Sequence, residues 1–152
     1  MSIWFGTPTP EDANLQAQGN LLEHLGIEFV EFGDDFIKAR MPVDHRTRQP
    51  YGVLHGGASV ALAETLASFG AVLTLDPAKH HAMGMEINAN HIRPVASGWV
   101  TGVARQLTKG RTTQVWDIRI TDEADRVVCI SRCTMAVVAA KPHPVTEGQG
   151  PA

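Results

Sequence analysis

From Val53 to Leu75 the chain reads VLHGGASVALAETLASFGAVLTL, and Glu64 is the only acidic residue in that stretch. A run this long and this apolar is either a bilayer span or a helix at the heart of a core. A carboxylate at bilayer depth is costly and needs a partner. The stretch is also rich in Ala, Gly and Ser, so the better reading is a buried central helix of a folded domain. It runs from about Gly56 to Leu75 and is ended by Asp76-Pro77. A helix that is apolar all round must be covered on every side.

The flanking sequence supplies the cover. Thr9-Pro10-Glu11-Asp12 starts a helix, with a capping Thr, Pro in the first turn and acids near the positive end of the dipole. That segment runs to about Leu25, with Gly19 a candidate break and Gly26 the stop. Ile27 to Phe32 and Phe36 to Met41, joined by Gly33-Asp34-Asp35, read as a hairpin. Residues 42–54 form a loop carrying Pro42, Pro50 and Gly52. After the central helix, His80-His81 opens an extended run, and strands are expected at Met83 to Ile92, Trp99 to Leu107, Thr112 to Thr121 and Val127 to Ala139. In the third of these, Gln114, Trp116, Ile118 and Ile120 alternate with Thr113, Asp117 and Arg119. The order is helix, two strands, long helix, four strands. It predicts an α+β hotdog fold, an antiparallel sheet wrapped around the long central helix. The chain of 152 residues fits one domain, expected over residues 1–140. Residues 141–152, rich in Pro and Gly, read as a disordered tail.

Charge and cysteine usage exclude several classes. The formal net charge is −3, and no basic stripe of the kind that meets nucleic acid is visible. Cys129 and Cys133 lie four apart on one strand, about 13 Å, which is too far for a disulfide. Two free thiols fit a reducing compartment. Met1 to Phe5 does not resemble a signal peptide, so a cytoplasmic protein is expected, with no membrane partner. His80 and His81 are adjacent and point to opposite faces of a strand. No Cys/His spacing matches zinc, and there is no nucleophile elbow, phosphate loop or dinucleotide fingerprint. No metal and no cofactor are expected.

The chemistry gathers around Glu64. An unpaired charge among apolar residues ends with a partner or a shifted pKa. The structural alternative is a glutamate paired with Arg or Lys, or one that reaches solvent. His55-Gly56-Gly57 stands at the helix start, where the first N–H groups lack internal partners. Glycines there let a ligand carbonyl approach the backbone. The alternative is a plain Gly-rich turn. Together with Glu64 the tripeptide suggests an oxyanion site for an attacked thioester. Gly57 and Glu64 are about 10 Å apart along one helix, too far to serve one carbonyl. Two antiparallel copies can serve it, so a shared site requires a two-fold dimer. Ser68 follows Glu64 by four residues on the same face. It could orient the carboxylate or a water, or simply ease helix packing. Gln49 could donate to the thioester or be an ordinary loop amide. His91 could line an acyl pocket or be a hydrogen-bonded strand histidine.

Gln49 to Ser59, QPYGVLHGGAS, followed by Ala63-Glu64-Thr65, resembles the hotdog acyl-CoA thioesterases of the 4-hydroxybenzoyl-CoA thioesterase class that uses a Glu. Glu86 to His91 and Gln114-Val115-Trp116 extend the likeness to about residues 12–139. Within that class the chain is most similar to the 1,4-dihydroxy-2-naphthoyl-CoA hydrolase and enterobactin-proofreading branches. The resemblance implies hydrolysis of an aromatic or medium-chain acyl-CoA, with coenzyme A as part of the substrate. It implies Glu64 as nucleophile or general base, the Gly57 N–H on the thioester carbonyl, and His55 and Gln49 positioning that carbonyl and the loop. Ser68 would assist hydrolysis, and His91, with Gly56 nearby, would contact the acyl end. Coenzyme A phosphates would meet some of Arg93, Lys109, Arg111 and Thr112, by local charge as much as by resemblance. The resemblance also implies self-association with shared sites, as a dimer or as the homotetramer, a dimer of dimers, that is common in the family, and Ala61 and Ala67 keep the helix surface small for such packing. Rival readings are a hotdog hydratase or dehydratase and a non-catalytic acyl-CoA-binding module. Gly56-Gly57 and Leu54-His55 favour hydrolysis.

Overall fold

The structure is a computed structural model, and it describes residues 1–141. The elements are α1 (Pro10–Gln16), α2 (Leu21–Leu25), β1 (Glu28–Phe32), β2 (Phe36–Pro42), α3 (Gly56–Leu73), β3 (His80–His91), β4 (Trp99–Lys109), β5 (Thr113–Thr121) and β6 (Val127–Ala139). The six strands form one antiparallel sheet in the order β1-β2-β4-β5-β6-β3. The chain crosses α3 between β2 and β3, so β3 is laid on the far edge. Among the described residues it pairs with β6 alone, and its other side is unpaired.

Small residues let α3 sink into the sheet. Ala58, Ala63, Ala67 and Ala71 are buried on it, with Leu62 and Leu66 filling the gaps between them. Gly102 of β4 faces Leu66 so closely that a Cβ would lie 2.6 Å from Leu66 Cδ1. Gly70 of α3 meets the Trp116 ring in the same way, at 2.7 Å. The inward side chains of the strands, Ile37, Met41, Val100, Ile118, Ile120 and Met135, complete one core. Trp4 closes its end by stacking on Trp116 at 6.4 Å and donating its Nε1–H to Gly33 O at 2.7 Å.

The C-terminal end of α3 is gripped by a buried polar network. Gln114, fully buried, donates from Nε2 to Thr74 Oγ1 at 3.0 Å. Its Oε1 accepts from Trp116 Nε1 at 3.0 Å and from Gln106 Nε2 at 2.9 Å. Lys109 Nζ donates to Thr74 O at 2.7 Å. Every polar atom of Gln114 therefore has a partner, which makes its burial affordable.

The N-terminal helical segment is two helices, with the break at the candidate Gly19: it turns the chain at φ +72°, and Asn20 caps α2 by accepting from Leu22 N at 3.1 Å. One sequence expectation changes: α3 is not covered on every side. Eight of its eighteen residues are buried; Gly57 and Glu64 are exposed, and Val60, Ala61, Thr65 and Ser68 only half-buried. The sheet curves around one face of the helix, and the short α1 and α2 are too small to close the other. The expected tail, residues 141–152, lies outside the described residues apart from Lys141.

Replacing Gln114 with Leu strands the Trp116 indole N–H in the core and takes the acceptor from Gln106 Nε2, while the Thr74 hydroxyl keeps its bond to Ala71 O. The expected loss is about 2–3 kcal/mol in urea denaturation. A variant as stable as wild type would contradict this account of how the helix end is held.

Candidate active site

The loop into α3 is anchored before the helix begins. Thr47 Oγ1 donates to Pro42 O at 2.7 Å and accepts from Asp44 N at 3.1 Å. Arg46, through its side chain and then its backbone N–H, holds the Asp44 carboxyl down to about 2. The stability this half-exposed group contributes is present above the ordinary carboxylate range and lost only as pH falls toward that value. His55 N then donates to Thr47 O at 2.8 Å. Between them Gln49 closes a turn: Gln49 N donates to Val53 O at 2.8 Å and Gly52 N to Gln49 O at 2.9 Å, with Gly52 at φ +83°. Gln49 Oε1 accepts from Tyr51 N.

His55 is the N-cap of α3, and its ring turns back over the first turn. Nδ1 accepts the Gly57 N–H at 2.8 Å. The Gly57 N–H, which the sequence reading aimed at the thioester carbonyl, is thus engaged by its own helix cap. Ala58 N and Ser59 N both donate to His55 O. The N–H of Gly56 has no partner among the described residues, so it is the donor the helix start leaves open.

Gly56 faces a groove of about 320 Å³ shared with Gln49, Ser59, His91 and Arg93. A Cβ on Gly56 would lie 2.8 Å from His91 Nε2, so glycine is what lets the imidazole stand over the helix start. The sequence reading gave these residues separate roles, Gln49 at the thioester, Gly56 and His91 at the acyl end and Arg93 at the coenzyme A phosphates, and the fold sets all four around one groove. Ser59, buried in the groove wall, was missed because it reads as one more small residue of the apolar run.

Glu64 opens into a different groove, on the uncovered face of α3. Its volume is about 500 Å³, and its lining includes Gly57, Val60, Ser68 and Phe69 from α3, with Leu21 and Leu22 from α2. Ser68 thus shares the groove of Glu64 as its spacing predicted, and His55 links the two clusters through its bond to Gly57. Gly84 of β3 lies against the carboxylate, as a Cβ there would be 2.8 Å from Glu64 Oε1. Beneath it Cys133 is buried, and burial together with the nearby Glu64 and Glu86 carboxylates pushes its thiol up to about 11. Leu21 and Leu22 were missed because two leucines opening a short helix look like core. Lys109, Arg111 and Thr112 stand apart, at the β4–β5 turn beside the opposite end of α3, where Lys109 is occupied by Thr74 O.

An antiparallel sheet wrapped around one helix, with a lone carboxylate on the open face of that helix, defines the hotdog class of acyl-thioester enzymes. The chain belongs to the Thioesterase superfamily, whose family model matches residues 51–129. It is 49% identical over 136 residues to the proofreading thioesterase EntH of Cronobacter turicensis, covering 90% of this chain and 98% of that protein. It is 46% identical to the 1,4-dihydroxy-2-naphthoyl-CoA hydrolase of Escherichia coli, covering 90% and 99%. The crystal structure of a mutant of thioesterase PA1618 from Pseudomonas aeruginosa superposes with a TM-score of 0.90 at 47% identity, covering 91% of this chain and all of that one. The protein is an acyl-CoA thioesterase, and α3 is the central helix of its hotdog domain.

With its thiol near 11, Cys133 is about one part in a thousand thiolate at pH 8. Iodoacetamide at that pH is expected to leave Cys133 and Cys129 of the native protein unmodified and to label both in urea. Native labelling at the unfolded rate would contradict the buried, neutral thiol beneath Glu64.

Proposed function

We propose that this enzyme hydrolyses aroyl-CoA or medium-chain acyl-CoA thioesters at a site shared between two subunits, with Glu64 as its catalytic carboxylate. One observation carries the reading: the partnerless Gly56 N–H and the Glu64 carboxylate sit on the same helix and open into different grooves. Eight residues separate them, about 12 Å along the axis. A carbonyl oxygen and its carbon are just over 1 Å apart, so one chain cannot supply both groups to one thioester. Two antiparallel α3 helices can.

In that arrangement the thioester oxygen accepts from the Gly56 N–H at the start of α3, with Gln49 and His91 beside it. The helix dipole adds to the stabilisation of the negative charge that grows there. Glu64 of the partner subunit either attacks the carbonyl carbon or takes a proton from the water that does, with Ser68 next to it to hold that water. The C–S bond breaks and coenzyme A leaves as its thiol, taking the proton that the attacking water gave up to Glu64; where Glu64 itself attacks, the acyl–Glu64 anhydride is then hydrolysed by a water, which supplies that proton, and in both cases the acid is released. His55 keeps Gly57 capped and so leaves the Gly56 N–H as the open donor.

The exterior supports self-association. The unpaired edge of β3 carries Met83 and Met85, each more than 60% exposed, and the adjoining face of α3 is half-covered. Exposed edges of this length are blunted or paired in stable proteins, and a second copy would pair this one, as a dimer or within a dimer of dimers. An antiparallel helix pair also brings the β4–β5 turn of one subunit toward the Gly56 end of the other. Arg111 and Thr112 from one chain and Arg93 from the other would then flank the coenzyme A phosphates, with Lys109 behind them. Aromatic acyl groups are favoured by the name of the Escherichia coli relative, a 1,4-dihydroxy-2-naphthoyl-CoA hydrolase. A cytoplasmic location fits the free thiols.

Turnover on a panel of aroyl-CoA and fatty acyl-CoA thioesters tests the chemistry. Glu64→Gln is expected to lower kcat by about 10²-fold or more, and near-wild-type turnover would remove Glu64 from the mechanism. Complementation tests the sharing. Gly56→Pro disables this half-site, removing the open N–H and crowding His91, at a first-turn position where proline suits the helix; the preceding His55 has compatible angles, φ −69° and ψ 132°. Mixing and reassembling this variant with Glu64→Gln is expected to restore about a quarter of wild-type activity, because half the dimers then hold one intact site. No recovery from a mixture shown to exchange subunits would place both groups in one chain.

A further inference from the structure

We propose that Gly84 is a positioning residue, whose missing side chain lets the Glu64 carboxylate lie against β3. The inference rests on the reading of Glu64 as the catalytic group and adds to it what holds that group in place.

Glycine inside a strand weakens it, and it stands there for a reason such as a bulge or a close approach. A bulge is present: Gly84 pairs with Met135 and Glu86 with Thr134, leaving Met85 as the extra residue. Bulges that require glycine hold it in the left-handed region. Gly84 is not there, for the positive-φ glycines of the described chain are Gly19, Gly26, Gly52 and Gly98. The backbone at residue 84 would therefore accept alanine.

The space would not. A Cβ built on Gly84 meets Glu64 Oε1 at 2.8 Å and Glu64 Cδ at 3.9 Å, and no other atom within 4 Å beyond its chain neighbours. Its only tight neighbour is the carboxylate itself. Gly84 is also at an exposed stretch of the edge strand, so packing within the chain does not call for a small residue here. Within the chain, the remaining reason for glycine is room for the carboxylate. A methyl group at this point would push Oε1 off the edge strand, away from the side on which a second subunit would present its thioester. A misplacement of about 1 Å is enough to cost a positioned catalytic group one to two orders of magnitude in rate.

The test is a cycle of Gly84→Ala, Glu64→Asp and the double variant, with benzoyl-CoA as the probe and thermal unfolding beside the kinetics. Gly84→Ala is expected to lower kcat by about ten- to a hundredfold, with KM within about threefold and Tm at or above wild type. In the Glu64→Asp background the same alanine is expected to cost less than about twofold, because the shorter side chain withdraws the carboxylate by about one bond, 1.5 Å. If Glu64→Asp is too slow to time, a crystal structure of Gly84→Ala reads the same point, as a carboxylate displaced from an unmoved β3. Unchanged kcat in Gly84→Ala, an equal cost in both backgrounds, a carboxylate still in place, or a Tm lowered by many degrees would each overturn the proposal. A fully active Glu64→Gln overturns the reading of Glu64 and this proposal with it. An inactive Glu64→Gln beside a normal Gly84→Ala overturns this proposal alone.

Discussion

The seating of α3 in the sheet is the contact on which the other features depend. Leu62 and Leu66 are fully buried, and each contributes roughly 1.5–3 kcal/mol by leaving water. The larger consequence is geometric. Gly102 beneath the leucines and Gly70 against Trp116 permit one depth and one rotation of the helix, because closely packed surfaces do not slide. At about 100° per residue, Glu64 then falls roughly opposite Leu62, at the border between the buried stripe and the open face. The core chooses where the carboxylate points before any substrate is present. The Gln114–Thr74 network does the same at the far end of the helix, where it fixes the position of α3 along its own axis.

Much of this was legible in the sequence because it is written in short-range signals. Turn glycines and prolines delimited the elements, period-two alternation identified β5, and the lone acid in an apolar run marked Glu64. The exposure of α3 was not legible. Val60, Ala61 and Val72 lie on its open side and are as apolar as the residues on its buried side, so the hydrophobic pattern carries almost no direction. A face left open in the single chain has the same composition as a core, and a pattern read from one chain assigns it to that chain. The place of β3 on the far edge was also out of reach, since it depends on long-range pairing with β6 rather than on anything local.

The distinction between Gly56 and Gly57 shows a finer limit. Both are glycines at the first turn, and both are expected to offer an N–H. Which one is open is decided by a single rotamer, that of His55, whose Nδ1 reaches Gly57. No spacing rule encodes a ring turning back on its own helix. Gly84 is the opposite case. A solitary glycine in a strand is a visible signal of a bulge or a close approach, but its partner is 20 residues away in sequence, and only the fold shows that the partner is Glu64.

These placements explain why a single helix carries two half-sites and not one whole site. A carbonyl donor works best at a helix start, where an N–H is unpaired and the dipole favours negative charge. A carboxylate that must act as a base or nucleophile is better away from that end, because the same positive field would stabilise its anion and weaken it. Setting Glu64 more than two turns along α3 separates the two requirements, at the cost of putting them about 12 Å apart. In the proposed dimer, pairing two antiparallel helices would remove that cost: the strong-field start of one α3 would meet the weak-field middle of the other. On that reading the dimer would be a condition of the chemistry, since it would let an electrophile's donor and a basic carboxylate converge on one carbonyl without sharing one helix's electrostatic field.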